Sequence, residues 1–329
     1  MSTSPVPAAR TAGWHRPMLV FAWVMAAATV ATAVGLAVDD RTLAGSPMWL
    51  KPFKFAVSMA LYSVTWSWMF SLLYKGKRFA SWVSSGLVAA LAIEFALMAV
   101  QAFRGRASHF NAETAFDARL FTIMGYAIAA LWIGTLILTV MVCRAPIADL
   151  AERWAIRLGA LIALAGLALG VLMVTPTADQ TRQRERTGTS DAIGAHTVGA
   201  PDGGAGMPIT GWSLTGGDLR IPHFVGIHAL QLLPLFALAL GALARRTPAL
   251  RSGTVRARLV LTAALGYAGL VALVTWQALR GQPLTSPDAA TLLALAALVA
   301  AVAGGAVLAL RAPVPDRPAP HTEPEVLQR

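Results

Sequence analysis

Apolar residues along this chain gather into long runs separated by short polar connections. A helix that crosses a bilayer needs about 20 mostly apolar residues. Eight runs reach that length, at 17–38, 55–74, 82–103, 119–142, 156–175, 223–243, 257–279 and 289–310. The pattern therefore predicts an all-α polytopic membrane helix bundle with eight spans, a membrane domain over 17–311 and tails at 1–16 and 312–329. The Pro-rich C-terminal tail reads as disordered. One connection, 176–222, is long, polar and Gly-rich, and its GAPDGGAG stretch reads as disordered too. The first run ends near ATA at 31–33, a cleavage-like signature. Its length exceeds the usual 7–15 residue core of a signal peptide, which favours a retained helix. Gly159, Ala163, Gly166 and Gly170 form a small-residue seam on the fifth run, where a neighbouring helix can approach closely. No internal repeat is evident.

Composition agrees with lipid as the solvent: the 329 residues are 56% hydrophobic and only 13% charged, with a mean hydropathy of +0.60. A soluble chain keeps about 25% charged residues. The net charge of +11 does not point to nucleic acid, because the cations lie in connections rather than on one soluble face. Counting Lys and Arg with both termini inside places 16 on the inner side and 11 on the outer. That excess predicts cytoplasmic termini. The 23 arginines against 4 lysines, with abundant Ala and Gly, suggest a bacterial cytoplasmic membrane. A single cysteine, Cys143, excludes an internal disulfide.

Polar residues inside the runs carry the functional expectation. Glu94 sits in the middle of ALAIEFALMAV, where an ionisable group costs about 2.5–3.5 kcal/mol and needs a partner or a role. Gln101 shares its helical face, with Arg104 near the same line. On the second run Lys51, Lys54, Ser58 and Tyr62 fall on one side, and on the fourth Arg119, Thr122 and Tyr126 align. Measured from the outer helix ends, Ser58, Glu94, Tyr126 and Gln231 all lie at a depth of about 9–12 Å. The expectation is a polar cavity open to the outer face, lined by the second, third, fourth and sixth runs and in part the seventh. Its rim would carry Lys51, Lys54, Arg104, His109 and Arg280, with Gln277 beside it. Such a cation excess suits an anionic group.

QAFRGRASHFNAETAFDARL, residues 101–120, concentrates charge between two apolar runs. Thr114 to Asp117 has helix-capping spacing, whereas His109 has no helix to cap. HFVGIH adds His223 and His228, with Gln231 three residues on. Five helical residues separate the two histidines by about 140°, a poor fit to joint metal ligation. No metal or other cofactor is expected, and no Walker loop, GxSxG elbow or dinucleotide fingerprint occurs. The expected partners are the lipid bilayer and an anionic small molecule or lipid headgroup, bound in transport or reception. One alternative is a membrane enzyme acting on a lipid-linked substrate, with Glu94 or His109 as acid–base; the other is a structural component without a small ligand. The sequence does not set the oligomeric state.

Overall fold

A computed structural model of the protein describes residues 13–43 and 45–311. The expected tails lie outside these residues, apart from 13–16. The membrane part consists of α1 (Arg16–Val38), α2 (Leu50–Ser71), α3 (Lys77–Phe103), α4 (Ala115–Cys143), α5 (Leu150–Leu169) and α6 (Val171–Val174), followed after the long connection by α8 (Arg220–Ile227), α9 (Ala229–Leu243), α10 (Gly253–Leu279) and α11 (Ala289–Arg311). The connection itself contains α7 (Ala178–Thr187), and β3 (Thr197–Val198) pairs antiparallel with β4 (Gly217–Asp218). A second small pair joins β1 (Thr42–Leu43) to β2 (Ser46–Pro47).

The protein is thus an all-α polytopic bundle, and each of the eight apolar runs is helical. Eight spans are not confirmed, however. Among the described residues six helical segments are long and apolar enough to cross a membrane, or seven if α8 and α9, bent by 41°, form one span. The segment that falls short is α2, which is long enough at 22 residues but carries two lysines and four serines. Its position compensates for its polarity. Met59, Trp66 and Met69 are almost wholly buried, and α2 packs against α1, α3 and α9. Polar residues on a membrane helix are tolerated where protein, not lipid, surrounds them. At the other extreme α11 buries only Thr291 and Ala309 and leaves Leu293 and Leu308 about 70% exposed, as a lipid-facing helix does.

The small-residue seam of α5 faces α8 and α9. A Cβ on Gly159 would stand 2.8 Å from the Ala229 carbonyl oxygen, and one on Gly166 would stand 2.5 Å from both Gly226 C and Ile227 N. The break between α8 and α9 falls beside this contact. Pro234 withholds an N–H from the Leu230 carbonyl one turn earlier, and its ring crowds that carbonyl.

Because the Gly166 contact is backbone against backbone, Gly166→Ala should destabilise the protein by about 1–3 kcal/mol through overpacking. Gly241→Ala, inside α9 with nothing within 4 Å, should leave the unfolding midpoint in detergent equal or slightly higher, because alanine favours a helix over glycine by up to about 1 kcal/mol. Equal midpoints for the two variants would contradict the close packing of α5 on α8.

Candidate functional site

Between α2, α3, α4, the α5–α6 junction, α8 and the long connection lies a cavity of about 1540 Å³. Its walls are mainly apolar, with polar groups contributed by several elements. Lys51, Lys54, Ser58 and Tyr62 enter from α2 and Glu94 from α3, while His223 enters from α8. His109 reaches in from the connection between α3 and α4.

Glu94 is 1% exposed. It lies nine residues before the end of α3, about 14 Å below it. The 104–114 connection folds back into the bundle, so His109 Nε2 stands 3.2 Å from Glu94 Oε1. The alignment is too poor for a hydrogen bond, and neither carboxyl oxygen has a hydrogen-bond partner among the described residues. Burial first, then the charges of Lys51 and His196, hold the His109 imidazole well below its usual pKa. The ring is therefore neutral at neutral pH, a proton acceptor beside a buried carboxyl.

Two of the cavity's cations are committed to the polypeptide. Lys54 Nζ donates to Thr210 O at 2.5 Å, and Arg220, a cavity residue, makes a two-pronged ion pair with the fully buried Asp218. Lys51 differs. It lies over the Phe55 ring, 5.9 Å from its centre, and has no hydrogen bond or ion pair among the described residues.

Several expected site residues do not reach the cavity. Arg119, Thr122 and Tyr126 do share one face of α4, but that face points away from the bundle and leaves Tyr126 74% exposed. Leu120, Met124, Ala127 and Leu131 own the inward face at helical spacing. Gln231 lies outside the cavity, donating to Leu61 O at 3.4 Å and receiving His228 as a neighbour. The shared polar floor of Glu94, Tyr126 and Gln231 therefore does not exist. Gln101 and Arg104 are drawn to Asp117, at 2.9 and 2.7 Å, in a network that fixes the start of α4 through Thr114. Gln277 donates to Pro283 O, and Arg280 pairs with Asp288 while stacking on Trp276. The cation excess read from the sequence is thus absent from the cavity, which Lys51, Lys54 and Arg220 line together with Glu94, Glu113, Asp179, Asp191 and Asp202.

The long connection supplies residues that sequence reasoning missed. Its Gly-rich middle, expected to be disordered, folds into fixed turns over the cavity. Asp202 accepts the backbone N–H groups of His196 and Thr197 at 2.9 and 2.8 Å, and His196 Nδ1 lies 3.2 Å from the same carboxylate. Phe110 packs edge-on against His196, ring centres 4.7 Å apart, and Ile193 N donates to Phe110 O. The two connections are therefore sewn into one cover. Asp218-x-Arg220 was the available sequence signal, since that spacing brings opposite charges together at a helix start. On the far side His223 Nδ1 donates to Gly166 O at 2.8 Å, a carbonyl exposed where α5 ends. Among the described residues no three His, Cys, Asp or Glu side chains are grouped to hold a metal.

The cover should loosen on acidification. His109 and His196 are both held below the ordinary value of 6.5, so their burial as neutral rings stabilises the fold above that pH and is eroded as pH falls below it. For Asp202, burial is outweighed by the hydrogen bonds from His196 and Thr197, and its acidity keeps that anchor charged far below the histidine range. Hydrogen exchange over 107–113 and 194–204, corrected for intrinsic rate, should accelerate between about pH 7.5 and 5.5; unchanged protection would contradict the neutral buried rings. No protein-family model matches this chain, and no match arises among curated proteins or solved structures.

Proposed function

We propose that this multi-pass membrane protein binds an anionic amphiphile, a lipid or lipid-linked molecule, with its headgroup at Lys51 and its chains along the apolar walls. One observation supports the reading: the cavity is mainly apolar, holds a lysine, Lys51, that no carboxylate among the described residues bonds, and is lined in part by apolar residues that are themselves exposed. Ile128 and Ile133 on α4 and Val171 and Val174 on α6 line it, yet they are 42, 54, 63 and 45% exposed. A soluble anion needs no such hydrocarbon flank. Lys51, with no counter-charge bonded to it, offers a headgroup a charge-assisted contact that the protein itself does not fill. The Lys and Arg count supports a cavity facing outward from a bacterial cytoplasmic membrane.

The experiment is thermal unfolding of purified protein titrated with phosphatidylglycerol or phosphatidylcholine. The anionic lipid should raise the midpoint, and a lipid at about 100 times its dissociation constant stabilises by about 2.7 kcal/mol. Lys51→Ala should abolish most of the difference between the two lipids. A response that ignores headgroup charge would overturn the reading.

A second reading, a membrane enzyme working on the bound lipid, draws on the contact between Glu94 and neutral His109. General acid–base groups contribute about 10²–10⁴-fold to rate. Glu94→Gln should therefore reduce turnover of a lipid-linked substrate at least a hundredfold with the fold intact. A fully active variant removes the carboxyl from the chemistry.

A further inference from the structure

Within the long connection, residues 206–213 form a tight hairpin whose tip turns outward from the protein. Gly206 bridges Ser213, Met207 N donates to Trp212 O at 2.7 Å, and Gly211 N donates to Met207 O at 2.9 Å. At the tip Thr210 N donates back to Pro208 O at 2.7 Å, so Ile209 is the centre of a three-residue turn, with φ of 66°. A positive φ at a β-branched residue is an outlier, and a turn of this hand is rare and strained. Glycine would sit there freely. Isoleucine instead carries the strain and holds its side chain outward, 77% exposed, beside the exposed Pro208. Water rewards neither feature. Acyl chains reward the second, because they take apolar surface out of water.

The position of the tip agrees with that partner. Below it lies a second hollow of about 610 Å³, lined by Leu36 of α1, Leu50 and Phe53 of α2, Pro47, and Met207 and Ile209 of the hairpin. Leu36 lies two residues inside the end of α1, and Phe53 three residues inside the start of α2, depths of about 3 and 4.5 Å. Ile209 is therefore level with the outermost turns of two membrane helices. The flanks of the hollow continue into lipid-facing surface. Phe53 shares its side of α2 with Val57, Ala60 and Leu61, and Leu61 is 41% exposed at mid-helix. On α1, Ala33 and Ala37 adjoin Leu36 and are exposed. Among the described residues no charged side chain lines the hollow, so what fits it is hydrocarbon rather than a headgroup.

We propose that the Pro208–Ile209 tip is inserted in the membrane leaflet on the cavity side, with an acyl chain in the hollow beneath it, and that the bilayer thereby holds one edge of the cavity's cover. The carbonyls beside the tip give this anchor its consequence. Thr210 O accepts Lys54 at 2.5 Å and Gly211 O accepts Arg220 at 2.6 Å, and both donors line the large cavity. The same turn is gripped by lipid on its outside and by cavity cations on its inside. The anchor requires nothing of the ligand that the cavity takes.

The test places an environment-sensitive fluorophore, nitrobenzoxadiazole, at Ile209→Cys in liposomes. Glu185→Cys, on the polar helix α7, serves as the water-exposed reference, and both variants carry Cys143→Ser so that the label is unique. Two quenchers are compared: iodide on both sides of the bilayer, and a phosphatidylcholine bearing a nitroxide near the top of one acyl chain. At 209 the nitroxide lipid should quench several-fold more than at 185, and iodide several-fold less. Equal iodide quenching at the two positions, or no excess from the nitroxide lipid at 209, overturns the proposal. If the 209 variant does not fold, Pro208→Cys takes the label with the same two outcomes, since that exposed side chain shares the tip.

Discussion

Hydrocarbon does not solvate a polar side chain, and that refusal organises the whole bundle. An uncompensated charge at mid-depth costs about 2.5–3.5 kcal/mol, comparable with burying a large apolar side chain. The response is to place α2, the helix richest in such groups among its neighbours, where α1, α3 and α9 shield it, and to leave outer faces such as those of α1 and α11 to the lipid. Glu94 and the α2 lysines can then share one enclosed space. The cavity follows from having to put these groups somewhere other than against acyl chains.

Irregular backbone at membrane depth obeys the same rule. Breaks at the end of α5 and between α8 and α9 free carbonyls that lipid cannot satisfy, and such breaks persist only where protein covers them. His223 answers Gly166 O, and the Tyr267 hydroxyl donates to Val225 O at 2.6 Å. Both breaks sit against the Gly166–Gly226 contact, where the absence of Cβ atoms lets the two backbones touch. The geometry that opens the cavity on that side is thus held by two glycines and two polar side chains.

Helix existence was legible because a run of 20 apolar residues has few other solutions, and the Thr114–Asp117 cap was legible from spacing alone. The span count was not, since α2 is buried by its neighbours in spite of its composition. Periodicity grouped Arg119, Thr122 and Tyr126 correctly on one face of α4, yet it says nothing about which way that face turns. Met124, Ala127 and Leu131, packed against the core, decided it. Charge counting failed for Arg104 and Arg280 because a count of charges near a rim does not show that Asp117 and Asp288 each bond one of them directly. Glu94 could be singled out from depth, but its meeting with His109 depends on a connection that doubles back, which no periodic signal encodes. His196 and Asp202 were hidden by Gly-rich composition, where a few side-chain hydrogen bonds replace regular structure.

Phe110 holds a left-handed backbone, with φ of 61°, although it is not glycine. Such a conformation costs about 1–3 kcal/mol. It survives because the ring is clamped by His196 and Phe121 and its carbonyl by Ile193. The shut arrangement of the two connections is therefore spring-loaded. The strain offsets part of what those contacts contribute, and since each 1.4 kcal/mol moves an equilibrium about tenfold, the shut arrangement is held by a smaller margin than its contacts alone would give.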